Sequence, residues 1–345
     1  MRIAAIAGGL IFALWSGALL AFEVEDHKIY AADPQTDLLR IISTADLDAF
    51  APIIEAYQAA NPGVTVDYTI ASSTELMAAL YDERAAFDLA ISSAMDLQTK
   101  LANDGLAQSY ASAATGALPD WAKWRDQVFG FTQEPAVLVI SQTFFAGTEP
   151  PRSREALINL LRNDPERFRG RIGTYDVRVS GLGYLFATQD SRNSESFWRL
   201  TELMGGLDAQ LYCCSGDMIS DVAGGRLAFA YNVLGSYAES RIADTAGIEI
   251  VELEDFLSVM LRTALIPNTA ENVEPARAMI DFLAGLSAAP RLTAASGLPP
   301  IDEESLRENN ALRPIRLGPG LLVFLDRLKR ETFLRSWTSA IEQSP

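Results

Sequence analysis

Residues 39–73 read LRIISTADLDAFAPIIEAYQAANPGVTVDYTIASS, and residues 88–105 read DLAISSAMDLQTKLANDG. Short apolar runs alternate here with small polar loops and amphipathic stretches, the pattern of a strand feeding a helix. Leu39 to Ile42 reads as a strand, Ser43-Thr44-Ala45-Asp46 as a loop and cap, and Leu47 to Ala60 as a helix closed by Asn61-Pro62-Gly63. Val64 to Ile70 is a β-branched strand followed by the loop Ser72-Ser73-Thr74, whose Thr74 is placed to cap a helix from Glu75 to Glu83. The third unit is strand Asp88 to Ile91, loop Ser92-Ser93-Ala94, and helix Met95 to Asn103 stopping at Gly105. Three successive units of this kind predict a parallel sheet whose right-handed crossovers bring all three loops to one edge. That carboxyl edge is where open α/β sheets hold ligands.

Downstream, Val128 to Glu134 leads through Pro135 into the apolar strand Ala136 to Ser141, and Pro135 pushes Glu134 toward extended geometry. This long strand is expected to cross from one domain to another. A second α/β unit follows: helix Glu155 to Leu161, strand Arg171 to Tyr175, and the polar loop Asp176 to Gly183, which opens a helix at Tyr184. Next come a helix from Ser194 to Gly205, a helix from Asp217 to Ala223, and strand Leu227 to Tyr231 with Asn232 at its end. Leu257 to Ile266 is apolar and Pro275 to Leu286 helical; the simplest assignment returns this part to the first domain.

A chain of 345 residues, 49% hydrophobic, is too long for one comfortable core, so two domains are expected. The net charge of -17 is spread without blocks, which makes nucleic acid and anionic membrane poor partners, since counterion release needs clustered Lys and Arg, and no nucleic-acid partner is expected. Arg2, the apolar run Ile3 to Phe22 and small residues Ser16, Ala18 and Ala21 read as a signal peptide over residues 1–21, or as an uncleaved anchor. Either way the rest lies outside the cytoplasm, in the periplasm. The only cysteines, Cys213 and Cys214, are two buried free thiols or a vicinal disulfide. With the sole histidine, His27, far away, they do not read as a metal site, and no cofactor is implied.

The leader, the βα repeats, the crossover ending Glu134-Pro135-Ala136-Val137-Leu138-Val139, and the return with Pro275-Ala276-Arg277 before Asp281-Phe282-Leu283 resemble the bacterial extracellular solute-binding proteins. The resembled branch includes ferric-iron binders and binders of phosphorylated or carboxylated organic anions. The resemblance covers about residues 38–300. It implies a two-lobed α/β architecture of the type II periplasmic-binding-protein kind, with two mixed sheets flanked by helices and joined by crossover strands. Lobe 1 would comprise 38–133 and 256–345, and lobe 2 would comprise 134–255. It also implies a monomer that traps a small-molecule anion by hinge closure and presents it to an ABC permease in the inner membrane. A ferric-iron carrier and a ligand-sensing partner of a membrane histidine kinase are the alternatives. Ferric members use consecutive tyrosines, where this chain reads Ala230-Tyr231-Asn232-Val233; one Tyr with an Asn supplies too few hard oxygens.

The candidate ligand contacts in lobe 1 are Ser43, Thr44, Ser72, Ser73, Thr74, Ser92 and Ser93, because backbone N–H groups and hydroxyls where strands feed helices suit phosphate or carboxylate. The same residue types are also the commonest N-caps. In lobe 2, Arg178 is the expected clamp, a guanidinium able to grip an oxyanion through two parallel bonds, with Ser180, Gly181, Ser215, Tyr231 and Asn232 beside it; the alternatives are a surface Arg178 paired with Asp176 and a Tyr231 that is a core aromatic. Gln133 and Glu134 on the crossover complete the set. Catalysis is not expected: the sole histidine, His27, is far from the Ser-bearing loops and close to the leader, the loops are rich in Ser and Thr instead of paired carboxylates, and no Walker or dinucleotide fingerprint is present.

Overall fold

The computed structural model describes residues 22–242 and 245–343, so the predicted leader lies outside the described residues. Two seven-stranded mixed sheets form the framework. The first contains β1 (Asp26–Tyr30), β2 (Asp37–Ser43), β3 (Val64–Ile70), β4 (Leu89–Ser92), β5 (Lys123–Trp124), β6 (Val128–Gly130) and, from much later in the chain, β13 (Thr263–Leu265). The second contains β7 (Glu134–Ser141), β8 (Ile172–Tyr175), β9 (Gln210–Tyr212), β10 (Phe229–Leu234), β11 (Ile248–Val251), β12 (Leu257–Met260) and β14 (Leu312–Pro314).

The three opening units form as their patterning requires. β2 runs parallel to both β3 and β4, so the loops that follow these strands share one edge. Helix Leu47–Ala60 buries Phe50, Ile53, Ile54 and Tyr57, residues spaced along one helical face, against a core with Leu39, Ile41 and Tyr68. Phe50 and Tyr68 stack with ring centroids 5.2 Å apart. A separate core on the outer face of the second sheet gathers Ile140, Leu157, Phe168, Phe229 and Trp337. A third cluster joins inner faces of both lobes, with Ile42 and Met95 on one side and Leu185 and Met218 on the other.

The lobes are joined by a two-stranded ribbon that passes through both sheets. β6 continues into β7 while β12 continues into β13, and the two lines run antiparallel: Val259 faces Pro135 and Met260 faces Glu134 in the second sheet, then Thr263 faces Gly130 and Ala264 faces Phe129 in the first. The domain limits therefore differ from the expected ones. Residues 257–260 belong to the second sheet, so the return to the first lobe begins at Thr263 and not at 256. Residues 312–314 pair with β12, and helix Arg327–Ile341 packs on helix Ser196–Gly206, which carries the C-terminal tail back to the second lobe. Leu257 to Ile266 looked uniform because both halves are buried on both faces, which erases the period-two alternation.

Candidate functional site

A cavity of about 460 Å³ opens between the lobes. Lobe 1 supplies Thr44, Ser72, Ser73 and Ser93 from its carboxyl edge, and lobe 2 supplies Tyr175, Ser180 and Ser215. The arrangement follows from local capping chemistry. Ser72 accepts from the Glu75 N–H at 3.2 Å, Ser180 accepts from the Gly183 N–H at 3.1 Å, and each thereby starts a helix that points at the cleft. The cap at 72–75 is thus Ser72, not Thr74. Thr74 bonds instead to the Ser72 hydroxyl and, at 3.4 Å, to the Val179 carbonyl of the opposite lobe.

The lobes touch at this edge. Gly181 donates its N–H to Ser73 Oγ at 3.0 Å. A Cβ at Gly181 would lie 2.5 Å from that oxygen, so glycine is required for the approach. Thr44 Oγ1 accepts from the Ser93 N–H at 3.1 Å and binds two of the lobe 1 loops together. Ser215 Oγ accepts from the Leu234 N–H at 3.3 Å and pairs with the Tyr175 hydroxyl at 2.5 Å. Ser43 and Ser92 are buried one residue short of the cavity, each accepting from the N–H two residues on, Ala45 and Ala94, at 3.0 and 3.1 Å.

The arginine on the cavity wall is a different one from the expected Arg178. Arg262 joins the cavity wall, fully buried, from the joint between β12 and β13. Its Nε and Nη2 donate to the Glu134 carboxylate at 3.1 and 3.2 Å, and its Nη1 has no partner among the described residues. Glu134, also accepting from Thr132 Oγ1 at 2.6 Å and from Ser236, is the internal counterion of Arg262 and does not line the cavity. Gln133 turns away, bonded to Ser305 and to the Asp302 N–H. Arg178 lies outside the cavity: Asp176, two residues earlier, takes its Nε and Nη2, and Glu342 from the C-terminal tail takes Nη1.

Tyr231 and Asn232 face the rear of the lobe. Tyr231 shares the outer face with Phe229 by ordinary alternation; Asn232 has φ +60°, and the β7–β10 register slips between Ala230 and Val233, a bulge that turns Asn232 to the same side as Tyr231. Both donate to buried Asp190, at 2.8 and 2.9 Å, and the Tyr231 hydroxyl accepts from Arg154 Nε at 2.7 Å.

Several wall residues were not singled out from sequence. Tyr237 follows β10 and accepts from the Asp46 N–H at 3.3 Å; burial pushes its phenol up to about 12. Glu25, Asp46 and Asp217 bring carboxylates, and Arg241 a second guanidinium. Asp46 is raised by desolvation despite the nearby Arg262 and Arg241. Cys213 and Cys214 are joined in a vicinal disulfide on the wall, exposed and half-buried respectively, so the pair is neither buried nor free. Arg262 had one legible signal, a lone charge inside an apolar run; Arg241 had none.

Comparison with known proteins agrees with this geometry. Residues 39–295 match the family model described as bacterial extracellular solute-binding protein. A substrate-binding protein of an ABC transporter from Agrobacterium tumefaciens is 31% identical, with 91% of this chain and 98% of that one covered at a TM-score of 0.84. The fold is shared by the periplasmic binding protein AfuA from Actinobacillus pleuropneumoniae with fructose-6-phosphate bound, at 14% identity, 90% and 100% coverage and TM-score 0.71. Iron-bound HitA from Pseudomonas aeruginosa shares it too, at 14% identity, 88% and 99% coverage and TM-score 0.65. No curated protein matches by sequence. The family match over most of the chain, with two sheets joined by a crossover ribbon around a polar cleft, makes this chain a member of the bacterial extracellular solute-binding proteins.

Proposed function

We propose that this protein is the periplasmic receptor of an ABC importer and that its ligand is a small organic anion, phosphorylated or carboxylated, held between the lobes. The observation that carries the reading is the unpartnered Nη1 of fully buried Arg262 on the cavity wall. A buried guanidinium hydrogen left without an acceptor is costly, and an oxyanion arriving through the cleft would satisfy it. The hydroxyls of Thr44, Ser72, Ser93, Ser180 and Ser215 surround the same space and can orient further oxygens. The sugar phosphate bound by the fold relative AfuA is consistent with this choice.

Ferric iron is the poorer fit. Tyr231 is committed to Arg154 and Asp190, and burial raises the phenols of Tyr175 and Tyr237, which disfavours the phenolates that iron would need. A thermal-shift screen of phosphorylated sugars, phosphoglycerates, carboxylates and ferric salts tests the reading, because a ligand of the folded state raises Tm. Stabilisation by organic anions is expected. Stabilisation by ferric salts alone would replace this assignment with the iron carrier.

A further inference from the structure

The only two cysteines of the chain are bonded to one another on the wall of the ligand cavity. Cys213 is exposed and Cys214 half-buried, so a small thiol entering the cleft can reach them. Their flanks are fixed. Tyr212, immediately before, ends β9 in register with Tyr175 of β8; its hydroxyl donates to Asp221 at 2.6 Å and its carbonyl accepts from the Asp176 N–H at 2.8 Å. Ser215, immediately after, is buried and bonded to the Tyr175 hydroxyl and the Leu234 N–H. The two cysteines therefore fill the whole interval between strand and helix, and the bond between them sets where that part of the wall stands.

Cys214 is also the N-cap residue of helix Ser215–Ala223, and its side chain takes no hydrogen bond from the helix's first turn. The serines at the same position of two other helices that face the cavity, Ser72 and Ser180, do take one. A disulfide sulfur is a poor acceptor, so the first N–H groups of this helix are left to whatever enters the cavity, and a helix N-terminus favours an oxyanion there. The unpartnered Nη1 of buried Arg262, on the wall of the same cavity, is the independent pointer to such a ligand.

We propose that the Cys213–Cys214 bond is a redox gate on the ligand cavity: as the disulfide it leaves the N-terminus of helix Ser215–Ala223 open to the oxyanion, and its reduction by a dithiol lets Cys214 cap that helix in the oxyanion's place. This deepens the organic-anion reading and rests on it. A thiolate of the reductant attacks one sulfur, the bond between the cysteines breaks, and a mixed disulfide forms. The reductant's second thiol resolves it; two electrons and two hydrogens pass to the cysteines, and the reductant leaves as its own cyclic disulfide. Freed from Cys213, the Cys214 sulfur can turn to the first-turn N–H groups, and a helix N-terminus favours its thiolate form. Arg241 favours that form too, its Nη2 lying 3.2 Å from where a Cβ on Gly216 would stand, while Asp217, with a carboxylate oxygen within 4.8 Å of both sulfurs, opposes it. Cap and charge then both work against an entering anion.

The test is calorimetry on the full mature chain before and after dithiothreitol, with thiols counted by a chromogenic reagent. The probes are glucose 6-phosphate and the screened organic anion that most raises Tm. Both cysteine thiols should appear while the protein stays folded, and the tighter probe should bind about tenfold more weakly, with recovery on reoxidation. Two double variants separate the cap from the fold. Cys213→Ser with Cys214→Ser supplies a permanent hydroxyl cap, whereas Cys213→Ala with Cys214→Ala supplies none. The serine pair should bind about tenfold more weakly than the alanine pair although its Tm is equal or higher, and dithiothreitol should change neither. Equal affinity of the oxidised and reduced native protein, or of the two double variants, overturns the gate and leaves the anion reading standing. A disulfide that dithiothreitol does not reduce in the folded protein does the same. Binding of neither probe to the oxidised protein, with none of the screened organic anions raising Tm, overturns both.

Discussion

At the scale of single residues, the clearest division is between arginines that have partners in sequence and those that do not. Arg178 was legible as a cation in a polar loop, but Asp176 stands two residues before it and the distant Glu342 completes its neutralisation. Arg178→Ala is expected to leave ligand affinity unchanged in calorimetry. The stability lost should be within about 1 kcal/mol, as for solvent-screened pairs. A tenfold loss of affinity would return Arg178 to the site. Glu134, by contrast, is the only carboxylate bonded to Arg262 among the described residues, and both side chains are fully buried. Glu134→Ala should cost about 3–5 kcal/mol in denaturant unfolding, because it strands a buried charge. The serines and threonines of the three opening loops were legible because strand-to-helix loops recur at one edge whatever their distant neighbours are. Tyr231 and Asn232 were not, because β10 is buried on both faces, which hides the face that Tyr231 takes, and a bulge that no local residue announces turns Asn232 to that same side.

At the scale of elements, the opening strands and helices follow the sequence closely, since each is set by its own periodicity and caps. Helices Leu47–Ala60 and Met95–Asn103 and strand Val64–Ile70 begin and end where the apolar spacing says. The split of 257–266 between two sheets was hidden, because pairing partners more than a hundred residues away decide it. Contacts between elements across the cleft give two predictions. Gly181 starts helix Gly181–Asn193 and approaches Ser73 of the other lobe. Gly181→Ala should weaken ligand binding severalfold with little change in Tm, because helical backbone accepts alanine while its Cβ obstructs Ser73 Oγ. Unchanged affinity would mean that this edge does not close on the ligand.

Asp96, on helix Met95–Asn103, is buried beside Arg178, Tyr184 and Arg330 from lobe 2 and the tail, and desolvation raises it from 3.8 to about 7. A carboxyl whose folded value is raised holds its proton more tightly folded than unfolded. Its contribution is therefore present at low pH and is lost as pH rises from about 4 to about 7. Tm measured across that window should fall less steeply for Asp96→Asn than for the native chain; parallel curves would show that Asp96 is not the responsible group.

At the scale of the whole molecule, the ribbon of β6–β7 and β12–β13 places the Arg262–Glu134 pair where both chain crossings meet. On the proposed function binding and bending would thereby be linked, because the guanidinium proposed to meet the oxyanion is anchored in the ribbon that joins the lobes. The two-lobed plan was legible from the alternation of units and the crossover at Pro135. The tail's return to lobe 2 was not, since nothing in residues 312–341 encodes which of two apolar faces it covers. A co-crystal structure with the organic anion that most raises Tm tests the account most directly. The oxyanion should accept from Arg262 Nη1 and contact hydroxyls of both lobes, one from Thr44, Ser72 or Ser93 and one from Ser180 or Ser215. An anion seated on a single lobe, or outside the cavity and away from Arg262, would contradict it.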